Sequence, residues 1–155
     1  MSLFNRYEKK IYSPVCGKKV RLEDLPDEMF RNEMLGPSIA FDSADGNVYA
    51  PADGKIVMVT DSKHAIGLRT KFGAEILIHI GIDTVELNGC CFDEQIRKNQ
   101  IVHRGELLIK FDKVKICNAG YDPSIIVIVT NAKDNKIHLI EKEFYTLEDA
   151  ILEFE

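Results

Sequence analysis

One pattern occurs twice in this chain and constrains its fold more than any other. Ile11-Tyr12-Ser13-Pro14-Val15-Cys16-Gly17-Lys18-Lys19-Val20 and Val48-Tyr49-Ala50-Pro51-Ala52-Asp53-Gly54-Lys55-Ile56-Val57 share one plan. Each has an apolar pair, a small residue, Pro-x-x-Gly-Lys and then strand-forming residues. A fainter third copy is Val102-His103-Arg104-Gly105-Glu106-Leu107-Leu108. Proline presets a turn, and glycine at the matching place suggests a tight turn with positive φ. Two like strand–turn–strand units predict an internally duplicated β-fold.

The rest of the chain agrees with an all-β domain. Strands are expected at Ser38–Asp42, Gly54–Asp61, Ala65–Lys71, Glu75–Ile80, Leu107–Phe111 and Ile125–Thr130, from β-branched runs bounded by turn residues. Ile137–Leu139 and Phe144–Tyr145 read as edge strands. Short helical turns are expected within 22–37, at Phe92–Asn99 and at Lys113–Asn118. No long amphipathic helix interrupts the pattern. The expectation is an antiparallel sandwich or partly closed barrel, one domain over 1–155 with a loose leader up to about Glu8. A chain of 155 residues, 45% apolar and 29% charged, has the composition for a full core.

Glu75-Ile76-Leu77-Ile78-His79-Ile80-Gly81-Ile82-Asp83-Thr84-Val85-Glu86-Leu87 carries the chemistry. Alternation puts Ile76, Ile78 and Ile80 on one face and Leu77 and His79 on the other. Reflection about a hairpin at Lys71–Ala74 places His64 near the partner of residue 80 or 81. Two imidazoles then share a face. Ser62, two residues before His64, would lie on that face and fix the His64 tautomer. A neutral imidazole with one free nitrogen is a nucleophile toward phosphorus, and a second can steady the phosphoryl oxygens. His103 and His138 read as exposed imidazoles without a task.

Several functions are disfavoured. A formal charge of -5 argues against broad nucleic-acid binding and fits a basic protein partner. There is no phosphate-cradling G-x-x-x-x-G-K-[ST], so ATP is not the expected phosphoryl donor. No apolar run reaches the length of a membrane span, and Met1–Arg6 lacks the apolar core of a secretory signal, so a cytoplasmic location is expected. Cys16, Cys90, Cys91 and Cys117 form no C-x-x-C pair and are expected as reduced thiols. No cofactor is required by this chemistry. His64 and His79 could ligate zinc, and His79-x-x-x-Asp83 has the form of a zinc endopeptidase motif, but the H-x-H that such enzymes also use is missing.

Ser13-Pro14-Val15-Cys16-Gly17-Lys18, Leu22-Glu23-Asp24-Leu25-Pro26-Asp27-Glu28-Met29-Phe30, Tyr49-Ala50-Pro51-Ala52-Asp53-Gly54-Lys55-Ile56, Lys63-His64-Ala65 and above all Ile78-His79-Ile80-Gly81-Ile82-Asp83-Thr84-Val85-Glu86-Leu87 fall in one order. In these strings the chain resembles the glucose-class enzyme IIA of the bacterial phosphoenolpyruvate-dependent sugar phosphotransferase system, from about Ile11 to Thr130. The resemblance implies a barrel-sandwich hybrid of duplicated type. It implies that His79 is phosphorylated on Nε2, that His64 supports it, and that Ser62 holds His64. Asp27 and Asp83 match an acidic pair facing the histidine-containing phosphocarrier protein. Read alone, bulky Met29, Phe30, Met34 and Leu35 in this connection favour a core plug over an exposed rim. The resemblance reverses this and matches Met29, Phe30, Leu35, Leu77 and Val85 to an exposed apolar patch that would dock this carrier and an enzyme IIB domain in turn. Thr60 and Leu77 stand where some members carry Phe. A protein-binding module regulated through His79 and, more remotely, a zinc hydrolase are the rival readings.

Overall fold

The structure is a computed structural model that describes residues 8–133 and 135–155. The leader expected up to about Glu8 lies almost wholly outside the described residues. Among those described, the strands are β1 (Lys10–Tyr12), β2 (Gly17–Val20), β3 (Ser38–Ser43), β4 (Asn47–Tyr49), β5 (Gly54–Val59), β6 (Ala65–Thr70) and β7 (Glu75–Ile80). They continue with β8 (Phe92–Glu94), β9 (Ile101–Val102), β10 (Leu107–Phe111), β11 (Ile125–Val129), β12 (Ile137–Leu139), β13 (Phe144–Tyr145) and β14 (Ala150–Phe154). The helices α1 (Glu28–Arg31) and α2 (Lys113–Asn118) are short, as are the 3-10 turns Leu22–Asp24 and Thr84–Leu87. The helix expected at Phe92–Asn99 is instead β8 followed by loop. Its residues alternate buried Phe92 with exposed Asp93 and pair antiparallel with β10.

An eight-stranded antiparallel sheet runs β13-β2-β3-β11-β7-β6-β5-β9, faced by two three-stranded sheets, β1-β14-β12 and β4-β10-β8. The large sheet reads the same from both edges once the halves are matched. The half β13-β2-β3-β11 corresponds to β9-β5-β6-β7, and β1-β14-β12 corresponds to β4-β10-β8. Burial follows the match: β3 and β6 carry the same pattern apart from one more exposed position in β6. This is the duplication that the two proline–glycine strings announce. At its centre the copies clasp each other. The Tyr12 N–H donates to the Pro51 carbonyl at 2.8 Å, and the Tyr49 N–H to the Pro14 carbonyl at 2.7 Å. The third string, 102–108, has its counterpart at 145–151, since Glu106 accepts from Ala50 N and Asp149 from Ser13 N, both at 2.8 Å.

Gly17 and Gly54 serve a purpose other than the one expected. Neither has positive φ; a Cβ there would overlap the carbonyl oxygens of Asp42 and Arg69 on the paired strands. They allow close strand approach rather than a left-handed turn.

The two faces of the large sheet have different fates. Ile39, Phe41, Ile66, Leu68, Ile76, Ile78, Ile80, Ile125, Val127 and Val129 point into the main core. That core also takes Ile11, Val48, Ile109, Phe111, Ile151 and Leu152 from the small sheets. The opposite face holds a second, smaller cluster of Leu25, Phe30, Ala40, Ile82, Ile126 and Ile128. It exists because the matched halves differ in one connection. Between β2 and β3 the segment 21–37, with α1, folds over Ala40, Ile126 and Ile128. Between β5 and β6 the corresponding link is only the turn 60–64. One half of the outer face is roofed, and the other stays open.

Candidate active site

His79 sits where roof meets opening. In β7 it pairs with Ile126 of β11 on one side and Ala65 of β6 on the other. Ile126 lies under the roof, while Ala65 is small, so the imidazole is covered on one flank and accessible on the other. The roof touches it directly through Phe30, whose ring centroid lies 4.9 Å from that of His79.

The chain just after β7 fixes the tautomer of His79. Gly81 adopts φ 77°, and its carbonyl oxygen lies 2.8 Å from His79 Nδ1. A carbonyl only accepts, so Nδ1 carries the ring proton and donates it, leaving the Nε2 lone pair free. Gly81 is required twice over: a Cβ would overlap the Thr84 methyl group, and the left-handed backbone disfavours any side chain. The turn is further tied by the Thr84 hydroxyl, which donates to the Ile80 carbonyl, and by Gly81 N donating to Ser124 O at 2.8 Å.

The second imidazole arrives as the hairpin arithmetic requires. Ile80 N donates to the His64 carbonyl at 2.7 Å, and the rings of His64 and His79 lie 5.0 Å apart, edge to face at 75°. Both are half-buried. The hydroxyl that reaches His64, however, belongs to Thr60 and not to Ser62. Thr60 Oγ1 lies 3.3 Å from His64 Nδ1 and accepts from Ala65 N at 3.2 Å. Strand alternation fails for Ser62 because 60–64 is a turn, closed by Lys63 N donating to Thr60 O at 2.9 Å, with Lys63 at φ 61°. The turn folds Thr60 back over His64. The Thr60 hydroxyl reaches both the Ala65 carbonyl, at 3.4 Å, and His64 Nδ1; when it donates to Nδ1, the His64 proton stands on Nε2, available to a phosphoryl oxygen. Lys63 also pairs with Glu94 at 3.0 Å, tying the turn to β8.

Electrostatics keep both rings neutral. Desolvation, then the neighbouring His64, push the His79 pKa down to about 4, against the smaller upward pull of the Gly81 hydrogen bond and of Asp27. Desolvation lowers His64 as well. Asp27 caps α1, accepting from Met29 N at 2.7 Å. Asp83 is exposed with φ 61°.

The apolar patch is partly as the resemblance implies. Met29, Leu35 and Val85 are exposed, Val85 at 44%, and Leu77 is half-buried beside the second cluster. Phe30 is a correction. It is 4% exposed and packs within the roof, because α1 turns it inward onto His79 while Met29 faces solvent. Met58 is an exposed member that sequence reasoning missed; it faces Gly67 across β5 and β6, on the side of Leu77. The β5 pattern and the Gly67 gap are the signals that could have found it. His103 and His138 are exposed, the latter bonded to Glu155 at 2.9 Å. Among the described residues there is no group of three or more His, Cys, Asp or Glu side chains arranged to hold a metal ion. The histidine pair by itself supplies two ligands. No helix among those residues is long and apolar enough to cross a membrane.

Residues 9–135 match the family model described as phosphoenolpyruvate-dependent sugar phosphotransferase system, EIIA 1. The chain belongs to this family. It is 38% identical to a glucose-specific EIIA component from Halalkalibacterium halodurans, over 90% of this chain and 79% of that protein. It is 39% identical to the beta-glucoside-specific EIIBCA component of Dickeya chrysanthemi, over 82% of this chain. The EIIA chain spans only about a fifth of that multidomain relative. Among solved structures, glucose permease IIA from Mycoplasma capricolum superposes with a TM-score of 0.79 at 33% identity, covering 98% of each chain. The EIIA fold described above is that β-sandwich.

Proposed function

We propose that this EIIA domain relays a phosphoryl group through His79 Nε2, taking it from a histidine-containing phosphocarrier protein and giving it to a cysteine of an enzyme IIB domain during sugar uptake. The observation that carries the reading is the bond from His79 Nδ1 to the Gly81 carbonyl. It leaves Nε2 as the free lone pair, on the open flank of the sheet and beside a second neutral imidazole.

The relay then has a simple balance. Nε2 attacks the carrier's phosphorus; a P–N bond forms on His79 as the carrier's P–N bond breaks, and the ring proton stays on Nδ1, still donated to the Gly81 carbonyl. The His64 Nε2–H donates to a phosphoryl oxygen in flight, positioned by Thr60. In the second step a thiolate sulfur attacks phosphorus and His79 leaves as neutral imidazole. Little covalent help is needed, since phosphoryl transfer depends chiefly on alignment and charge stabilisation. Met29, Leu35, Met58, Leu77 and Val85 form the docking face, and Asp27 and Asp83 steer a basic carrier. The fusion of EIIA with EIIB in the Dickeya relative supports an enzyme IIB partner.

The test is incubation with phosphoenolpyruvate, enzyme I and the phosphocarrier. An acid-labile, base-stable phosphate is expected on the wild type and none on His79→Gln. His64→Gln accepts phosphate but passes it on poorly. Undiminished labelling of His79→Gln would refute the assignment.

A further inference from the structure

The segment that follows the Asp83 turn ends in two adjacent thiols. Cys90 is exposed, Cys91 is buried, both are free, and their sulfurs stand 3.5 Å apart. They border an open cleft of about 600 Å³ with Phe92, Phe111 and Val114 in its wall. None of this belongs to the histidine pair.

The spacing discriminates between the things two thiols can do. A disulfide needs sulfurs at about 2.05 Å and α-carbons usually at least ~4.4 Å apart. Adjacent residues across a trans peptide hold their α-carbons at about 3.8 Å, so that ring is strained. Two sulfurs sharing one central atom at about 2.3 Å, with an angle between roughly 90° and tetrahedral, stand about 3.3–3.8 Å apart. The native separation is already that span. The central atom must also be content with two sulfur ligands. A structural zinc ion takes four, and no third ligand-bearing group is gathered here among the described residues. Trivalent arsenic carrying one organic substituent needs two.

We propose that Cys90 and Cys91 form a two-thiol site for monosubstituted trivalent arsenicals, whose organic group lies in the adjoining cleft. The chemistry is a condensation without redox change. An arsonous acid, R–As(OH)2, loses two As–O bonds and gains two As–S bonds, and each thiol proton leaves with a hydroxide as water. Cys90, being exposed, reacts first. Cys91 then closes the chelate from within contact distance. Burial pushes the Cys91 thiol up to about 11, so it enters as the neutral thiol and carries its own proton to the departing oxygen. Its backbone is held meanwhile, Asp112 N donating to Cys91 O at 2.9 Å.

The experiment uses the full, reduced chain with phenylarsine oxide. One arsenical is expected per chain, with free thiols falling from the four in the sequence by one pair. The adduct should survive excess 2-mercaptoethanol and be removed by 2,3-dimercaptopropanol, the mark of two-point attachment. Cys16→Ser/Cys117→Ser should bind as the wild type does, while Cys90→Ala and Cys91→Ser should each lose affinity at least tenfold. Removal by the monothiol, an unchanged adduct on Cys90→Ala, or loss of binding in the Cys16/Cys117 variant would overturn the site. Protection of the same two thiols by Zn2+ as effective as that by the arsenical would overturn the two-ligand assignment.

Discussion

Protonating His79 is the most informative perturbation, because its cost follows from where the ring sits. Its pKa is pushed from 6.5 to about 4, first by desolvation and then by His64. Between those values the unfolded chain binds more protons at this site than the folded one, so stability rises with pH across the window and falls as pH drops through it. At pH 5 an ordinary imidazole is about 97% protonated, whereas His79 stays about nine-tenths neutral. The corresponding penalty is about 2 kcal/mol at pH 5 and close to zero at pH 8. The assay is urea unfolding of wild type and His79→Gln at both pH values. The variant lacks the titration, so its stability relative to wild type should improve by about 2 kcal/mol on going from pH 8 to pH 5. His64 is lowered as well, by its own desolvation, and this contribution is common to both proteins. NMR of the ring supplies the direct check, and phosphoryl acceptance should persist at pH 5. A pH-independent gap between the two proteins, or a His79 midpoint at or above 6.5, would refute the argument that desolvation keeps the nucleophile neutral.

Other outcomes follow from neighbouring contacts. Thr60→Val should slow transfer to enzyme IIB by about 5–30-fold, one lost hydrogen bond of about 1–2 kcal/mol, with rescue by Thr60→Ser and near-normal rates in Ser62→Ala. Phe30→Ala should cost about 3–5 kcal/mol in denaturant unfolding and raise the His79 pKa toward 6.5, because it opens the covered flank to water. Gly81→Ala should lower the thermal midpoint through at least about 1–2 kcal/mol of left-handed strain plus the overlap with Thr84. It should also weaken phosphoryl acceptance, since the Gly81 carbonyl that orients His79 is displaced.

Much of this was written in short-range pattern. The Ile76, Ile78 and Ile80 alternation places His79 on the outer face, and the Lys71–Ala74 turn carries His64 to its side; both depend only on strand geometry and pairing register. The repeated proline–glycine strings announce the duplication for the same reason, since each codes a local turn and a close strand contact. Tertiary structure decided what local rules could not reach. Ser62 loses its place to Thr60 because a left-handed Lys63 ends the alternation that an extended strand would have kept. Phe30 is a lid and not a landing surface because burial depends on what the segment 21–37 meets, namely Ala40, Ile126 and Ile128 from distant strands. The low pKa of His79 likewise belongs to no residue alone. It arises only where a roof over one half of a duplicated sheet stops beside the open other half.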